Sequence, residues 1–210
     1  MPHARHPLDS IRPALPGTTP PRRALFIDRW GTLLELPEKG YEARFEEARF
    51  SPGALDLLFR AHQADWSLYL VGNEDAVALG KLADSTWARF ERDLIDHMAA
   101  LGVPLERNYA CLDHPENGRG EHLRDSVFRL PNTGIMYHAK QHDGVRLDKS
   151  WVIGDSSLEL AAGWRSGCLT AGVRTGQACA DGTVAFDPTF IAEDIQEALE
   201  SILRGSFIQS

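Results

Sequence analysis

The sequence predicts an α/β fold, with a mostly parallel sheet covered by helices on both faces. Short apolar runs end abruptly at turn residues, as in Ala24-Leu25-Phe26-Ile27 before Asp28 and Trp151-Val152-Ile153 before Gly154-Asp155. Such runs read as strands of a parallel sheet, which are apolar on both sides because both faces are covered. Between them lie segments whose apolar residues recur at helical spacing, and this alternation is the pattern of βαβ units. The 210 residues, 43% hydrophobic and 25% charged, supply one sizeable core.

The elements follow in order. Residues 1–23 carry Pro2, Pro7, Pro13, Pro16, Pro20 and Pro21 and a single acid, Asp9. Prolines at that density forbid a regular element, so this stretch reads as an irregular Pro/Arg-rich arm, with one domain over residues 24–205. Residues 33–51 are dense in Glu and Arg and read as a surface flap. Ser51-Pro52-Gly53 predicts a helix start with Ser51 as cap and Pro52 at the first helical position, and Leu55, Leu58 and Phe59 on its core face. A second strand over 66–71 ends at Gly72-Asn73-Glu74. The spacing of Leu79, Leu82, Trp87, Phe90, Leu94, Met98 and Leu101 predicts one long helix over 75–101, closed by Gly102 and Pro104. Strands are predicted at 108–112, 151–153 and 169–173, and helices at 133–141 and 158–165. An amphipathic C-terminal helix is predicted over 191–203, with Ile191, Ile195, Leu199 and Ile202 on one face.

Net charge is −8, so no basic excess is available to neutralise nucleic-acid phosphates, and no nucleic-acid partner is expected. No apolar run approaches the roughly 18 residues that span a bilayer, and the N-terminus lacks a signal peptide's apolar core. Three scattered cysteines, Cys111, Cys168 and Cys179, suit a reducing, cytoplasmic compartment.

Asp28 and Asp155 each follow a predicted strand, at the end where open α/β sheets bind ligands. Two carboxylates meeting there suit Mg²⁺, which takes one or two carboxylates and keeps several waters. The alternative is two unrelated turn residues. Around them stand four segments: Asp28-Arg29-Trp30-Gly31-Thr32-Leu33, Gly72-Asn73-Glu74, Arg129-Leu130-Pro131, and Gly154-Asp155-Ser156-Ser157-Leu158-Glu159 followed by Ala162-Gly163. In these segments, across about residues 24–176, the sequence resembles the haloacid dehalogenase-like (HAD) phosphohydrolase superfamily. Within it, the sequence is similar to the histidinol-phosphate and heptose-bisphosphate phosphatase branch.

The resemblance implies a Rossmann-like three-layer sandwich with little or no cap. It makes Asp28 the nucleophile that forms an aspartyl phosphate. It places Mg²⁺ on Asp28, the main-chain carbonyl of Trp30 and Asp155, with Glu159 in the place of the second acid. It also exposes three departures: Trp30 stands where the general acid/base belongs, Gly72 where a phosphate-binding hydroxyl belongs, and Leu130 where a lysine belongs. Indole has no exchangeable proton at a useful pKa, and losing a general acid costs about 10²–10⁴ in rate. Losing the lysine removes electrostatic stabilisation of the transferring group. Asn73 and Arg129 remain as candidate substrate contacts, with a surface role for Arg129 as the alternative, and Glu74 and Glu35 are conceivable stand-ins for the acid. The branch's structural zinc loop survives only as Cys111 and His114, two ligands where four are needed, so zinc is not expected. The expectation is a pseudophosphatase or a binding or regulatory protein, with a phosphorylated small molecule or a protein as partner and no membrane. The alternative is an active Mg²⁺-dependent phosphatase on a small phosphorylated metabolite.

Overall fold

The computed structural model describes residues 22–205. A parallel sheet runs through them, built from β1 (Arg23–Asp28), β2 (Trp66–Asn73), β3 (Arg107–Cys111), β4 (Trp151–Gly154), β5 (Leu169–Val173) and β6 (Phe190–Ala192), in the order β3-β2-β1-β4-β5-β6. The chain winds outward from β1 in one direction, then crosses to β4 and winds in the other. β1 and β4 therefore flank the point where strand order reverses, and the open crevice of such sheets lies at their carboxyl ends.

Two apolar layers explain the unbroken hydrophobic run of β1. Leu25 and Ile27 face a cluster with α1 (Ala54–Gln63), α3 (Asp84–Ala100) and α6 (Ile195–Arg204). Ala24 and Phe26 face the other way, onto α4 (Gly134–Asp143) and α5 (Ser157–Arg165). Period-two alternation with apolar groups at every position is what burial on both faces requires. The three-layer α/β sandwich is thus as expected from the sequence. The N-terminal arm over residues 1–21 lies outside the described residues, and β1 begins at Arg23.

Several boundaries differ from expectation for identifiable reasons. The helix expected over 75–101 is two helices. After α2 (Asp75–Ala78), Lys81 and Leu82 both donate their N–H to the carbonyl of Ala76, and Gly80 adopts φ +69°. Leu101 is exposed rather than part of the buried stripe. Ser51 does not cap α1: its hydroxyl donates to the Thr32 carbonyl at 2.6 Å, stitching the flap to the turn after β1, and Gly53 is the cap residue. Phe59 is exposed, and the core face of α1 is Ala54, Leu57, Leu58 and Ala61. Ile191 belongs to β6 and is exposed. The last helix starts only after Asp194, whose carboxylate accepts the Glu197 N–H at 2.9 Å.

Candidate active site

Pairing of Leu25 with Trp151 and Ile27 with Ile153 sets β1 and β4 side by side, so Asp28 and Asp155 emerge together at their carboxyl ends. The turns between them are built for close approach. Gly31 has φ +91°, and a Cβ there would collide with Asp155 Oδ2; a Cβ on Gly176 would collide with the same atom. Thr175 Oγ1 donates to the Gly31 carbonyl at 2.6 Å, and the Gln177 N–H donates to Asp155 Oδ2 at 2.7 Å. The loop after β5 thereby packs onto the turn after β1 and fixes Asp155. Glu159 sits one helical turn further, in a capping box: it accepts the Ser156 N–H at 2.5 Å and the Ser156 hydroxyl at 2.6 Å.

Asp28, Asp155 and Glu159 are all buried, and each offers an oxygen within 4.8 Å of the others. Burial, then Glu159 and Asp155, hold the Asp28 carboxyl well above the usual range against the pull of Arg29. Burial also raises Asp155, and burial together with Asp155 pushes Glu159 up to about 8. Three buried carboxyl groups in mutual repulsion are a set that a cation would relieve. Their donors are hard oxygens, which suits Mg²⁺. Both oxygens of Glu159 accept hydrogen bonds from Ser156, and those of Asp155 accept from Gln177 and, at 3.5 Å, from Thr32.

The cluster opens into a cleft of about 260 Å³ that Trp30, Gly72, Asn73, Glu74 and Leu130 also line. Its carboxylates are Asp28, Glu74, Asp75, Asp155 and Glu159, and no Lys, Arg or His is among its described lining residues. The three substituted motif positions therefore do converge on Asp28. The Trp30 indole N–H donates to Glu74 Oε2 at 3.2 Å, and its ring packs on Phe90 with centroids 5.4 Å apart. Glu74 also takes a hydrogen bond from the fully buried Arg29, which reaches on to Asn108 and lies over the Trp87 ring. Burial raises the Glu74 carboxyl, with Arg29 and Trp30 opposing. A Cβ on Gly72 would stand 2.9 Å from Arg29 Nη1 and 3.6 Å from Asp28 Oδ1, so the missing side chain at 72 makes room for the guanidinium.

Asn73 is committed to the main chain: it donates to the Leu130 carbonyl at 3.0 Å and accepts the Leu130 N–H at 2.9 Å. Leu130 itself is buried against α4 and its neighbours. Arg129 lies outside the cleft lining, paired with Asp75 at 2.8 Å and donating to the Asp113 carbonyl at 2.9 Å. Glu35 lines a neighbouring cavity with Gly31 and Ser51. At the place of the expected zinc loop, His114 Nδ1 accepts the N–H groups of Glu116 and Asn117, and His122 and Arg124 pair with Asp84 and Asp113. Sequence reasoning missed Arg29, Thr175 and Gln177. Only Arg29 carried a signal, as a charge directly after a buried strand.

The chain's similarities to known proteins agree with this geometry. A family model described as HAD-hydrolase-like matches residues 127–198. The D-glycero-D-manno-heptose-1,7-bisphosphate 7-phosphatase of Thermosynechococcus vestitus is 30% identical over 190 residues, covering 87% of this chain and 96% of that protein. A heptose-1,7-bisphosphate 7-phosphatase of Burkholderia mallei is 30% identical over 153 residues, covering 73% and 77%. Among solved structures, the D,D-heptose 1,7-bisphosphate phosphatase of B. bronchiseptica, complexed with magnesium and phosphate, superposes with a TM-score of 0.74. It is 24% identical and covers 88% of this chain and 99% of that one. A putative HAD-like phosphatase from Mesorhizobium loti gives a TM-score of 0.72 at 26% identity, covering 89% and 86%. Of the two branches the sequence resembles, these relatives support the heptose-bisphosphate one.

Proposed function

This chain belongs to the haloacid dehalogenase-like (HAD) superfamily, on the side of the heptose-bisphosphate phosphatases, and from that premise we propose that it is a Mg²⁺-dependent phosphatase of a small phosphorylated metabolite. The observation that carries the proposal is the buried Asp28–Asp155–Glu159 cluster at the strand-order reversal, in a cleft with no basic side chain among its described lining residues. Asp28 is the nucleophile and accepts the phosphoryl group. Asp155 and the Trp30 carbonyl would hold the metal together with Asp28, and Glu159 holds the turn that carries Asp155. A bound Mg²⁺ would supply positive charge to offset the five carboxylates that line the cleft. Asn73 acts indirectly, by registering the main chain at Leu130, and Arg129 braces the rim through Asp75. The protein works on its small-molecule ligand in the cytoplasm, and residues 24–205 act as one unit.

A second reading, a pseudophosphatase that binds without turnover, is favoured by one observation: Trp30 and Leu130 both line the cleft in place of a proton donor and a cation. One experiment separates the two. Phosphate release is measured with Mg²⁺ across a panel of phosphate esters and anhydrides, alongside Asp28→Asn. Release that Asp28→Asn abolishes supports the phosphatase; no release from any compound supports the second reading.

A further inference from the structure

We infer that the cleft takes mixed carboxylic–phosphoric anhydrides, the acyl phosphates, and keeps the phosphoryl group on Asp28 as a long-lived adduct; this rests on the phosphatase reading above. Every other acid that lines the cleft is already engaged. Glu74 accepts from Arg29 with one oxygen and from Trp30 with the other. Asp75 pairs with Arg129, Asp155 accepts the Gln177 N–H, and Glu159 accepts twice from Ser156. The indole N–H at residue 30 points to Glu74 rather than toward a leaving group, and its ring is fixed against Phe90. Asp155 and Glu159 lie beside Asp28, but they belong to the cation-binding cluster; outside that cluster, the one other acid near Asp28 among the described lining residues, Glu74, is turned to Arg29 and Trp30.

The consequence follows atom by atom. An Asp28 oxygen attacks phosphorus, and the new O–P bond forms as the bond from phosphorus to the acyl oxygen breaks. The electron pair leaves on a carboxylate, which needs no proton. The alkoxide of a sugar phosphate does need one, and among the described residues position 30, where the indole stands, does not provide it. In the return step, water attacks phosphorus and the O–P bond pair goes back to Asp28. One water proton stays on the phosphate, and the other must pass to bulk solvent because residue 30 is not a base. Loss of a positioned base slows such a step by about 10²–10⁴.

The test uses the full chain with Mg²⁺ and, separately, acetyl phosphate, a series of substituted phenyl phosphates, and glucose 6-phosphate, read by intact-protein mass spectrometry and phosphate release. The expected result is one added phosphoryl unit from acetyl phosphate, absent in Asp28→Asn. Adduct formation should fall steeply along the phenyl series as leaving-group pKa rises, and Trp30→Asp should shorten the adduct's lifetime by about 10²–10⁴. The phenyl series is run on the natural chain, so it decides the matter even if Trp30→Asp does not fold. Glucose 6-phosphate turned over as fast as acetyl phosphate, a flat phenyl series, or an adduct that survives Asp28→Asn overturns the inference. The first two leave the phosphatase reading standing. Neither adduct nor release from any compound overturns both.

Discussion

Replacing Glu74 by Gln removes the carboxylate that faces Arg29 while keeping its shape. The Arg29 side chain is fully enclosed and that of Glu74 is 3% exposed, so water cannot take over the lost charge. A guanidinium cannot shed its proton to escape. Breaking a buried pair on one side costs about 3–5 kcal/mol, and that is the expected loss for Glu74→Gln. Arg29→Met should cost less, because the Glu74 carboxyl, already raised by burial, is able to take up a proton. The double change Arg29→Met/Glu74→Leu should cost less than the two single changes together. It leaves the indole N–H of Trp30 and the Asn108 amide short of partners, at about 1–3 kcal/mol each, but neither member of the pair as an unpaired buried charge; Asp28 loses the opposing pull of Arg29. Urea unfolding of the four proteins reads these values from the midpoint, with an unchanged slope certifying a shared unfolded state. A loss below about 1 kcal/mol for Glu74→Gln would refute the premise that this pair is desolvated.

Three further outcomes are expected. Glu159 titrates from 4.5 unfolded to about 8 folded, so the folded protein binds more protons in that window; without metal, stability should fall as pH rises from about 4.5 to about 8, and thermal melts should show Mg²⁺ recovering it at the upper end. Gly31→Ala forces a left-handed conformation worth about 1–2 kcal/mol and pushes on Asp155; calorimetric titration should show Mg²⁺ binding weakened, while circular dichroism shows the fold kept. Asp194→Ala removes the α6 cap and should lower stability by about 1 kcal/mol in the same urea assay, with no effect on Mg²⁺ binding.

The parts legible in the sequence were those written locally. Asp28 and Asp155 could be found because each closes an apolar run, and a parallel sheet sends such closures to one edge. The convergence of Trp30, Gly72 and Leu130 on Asp28 followed from motif order and stands in the structure. Local patterns failed where a distant group decided the outcome. Ser51 looks like a helix cap, but the Thr32 carbonyl, nineteen residues away, takes its hydroxyl. Phe190–Ala192 is too short to announce itself and is a strand only because β5 lies beside it. Asn73 lines the cleft as its motif suggests, but its two hydrogen bonds to the Leu130 main chain, 57 residues away, are written nowhere near it in the sequence. Gln177 holds Asp155 with a backbone N–H, which no side-chain pattern records.

The paired hydrogen bonds between Asn73 and residue 130 involve only the peptide group of the latter. The course of the chain there is held by its peptide group, while the Leu130 side chain is held separately, by the apolar cluster against α4. A charged occupant could keep the path of the loop only by turning its charge out of that cluster and into the cleft that residue 130 also lines.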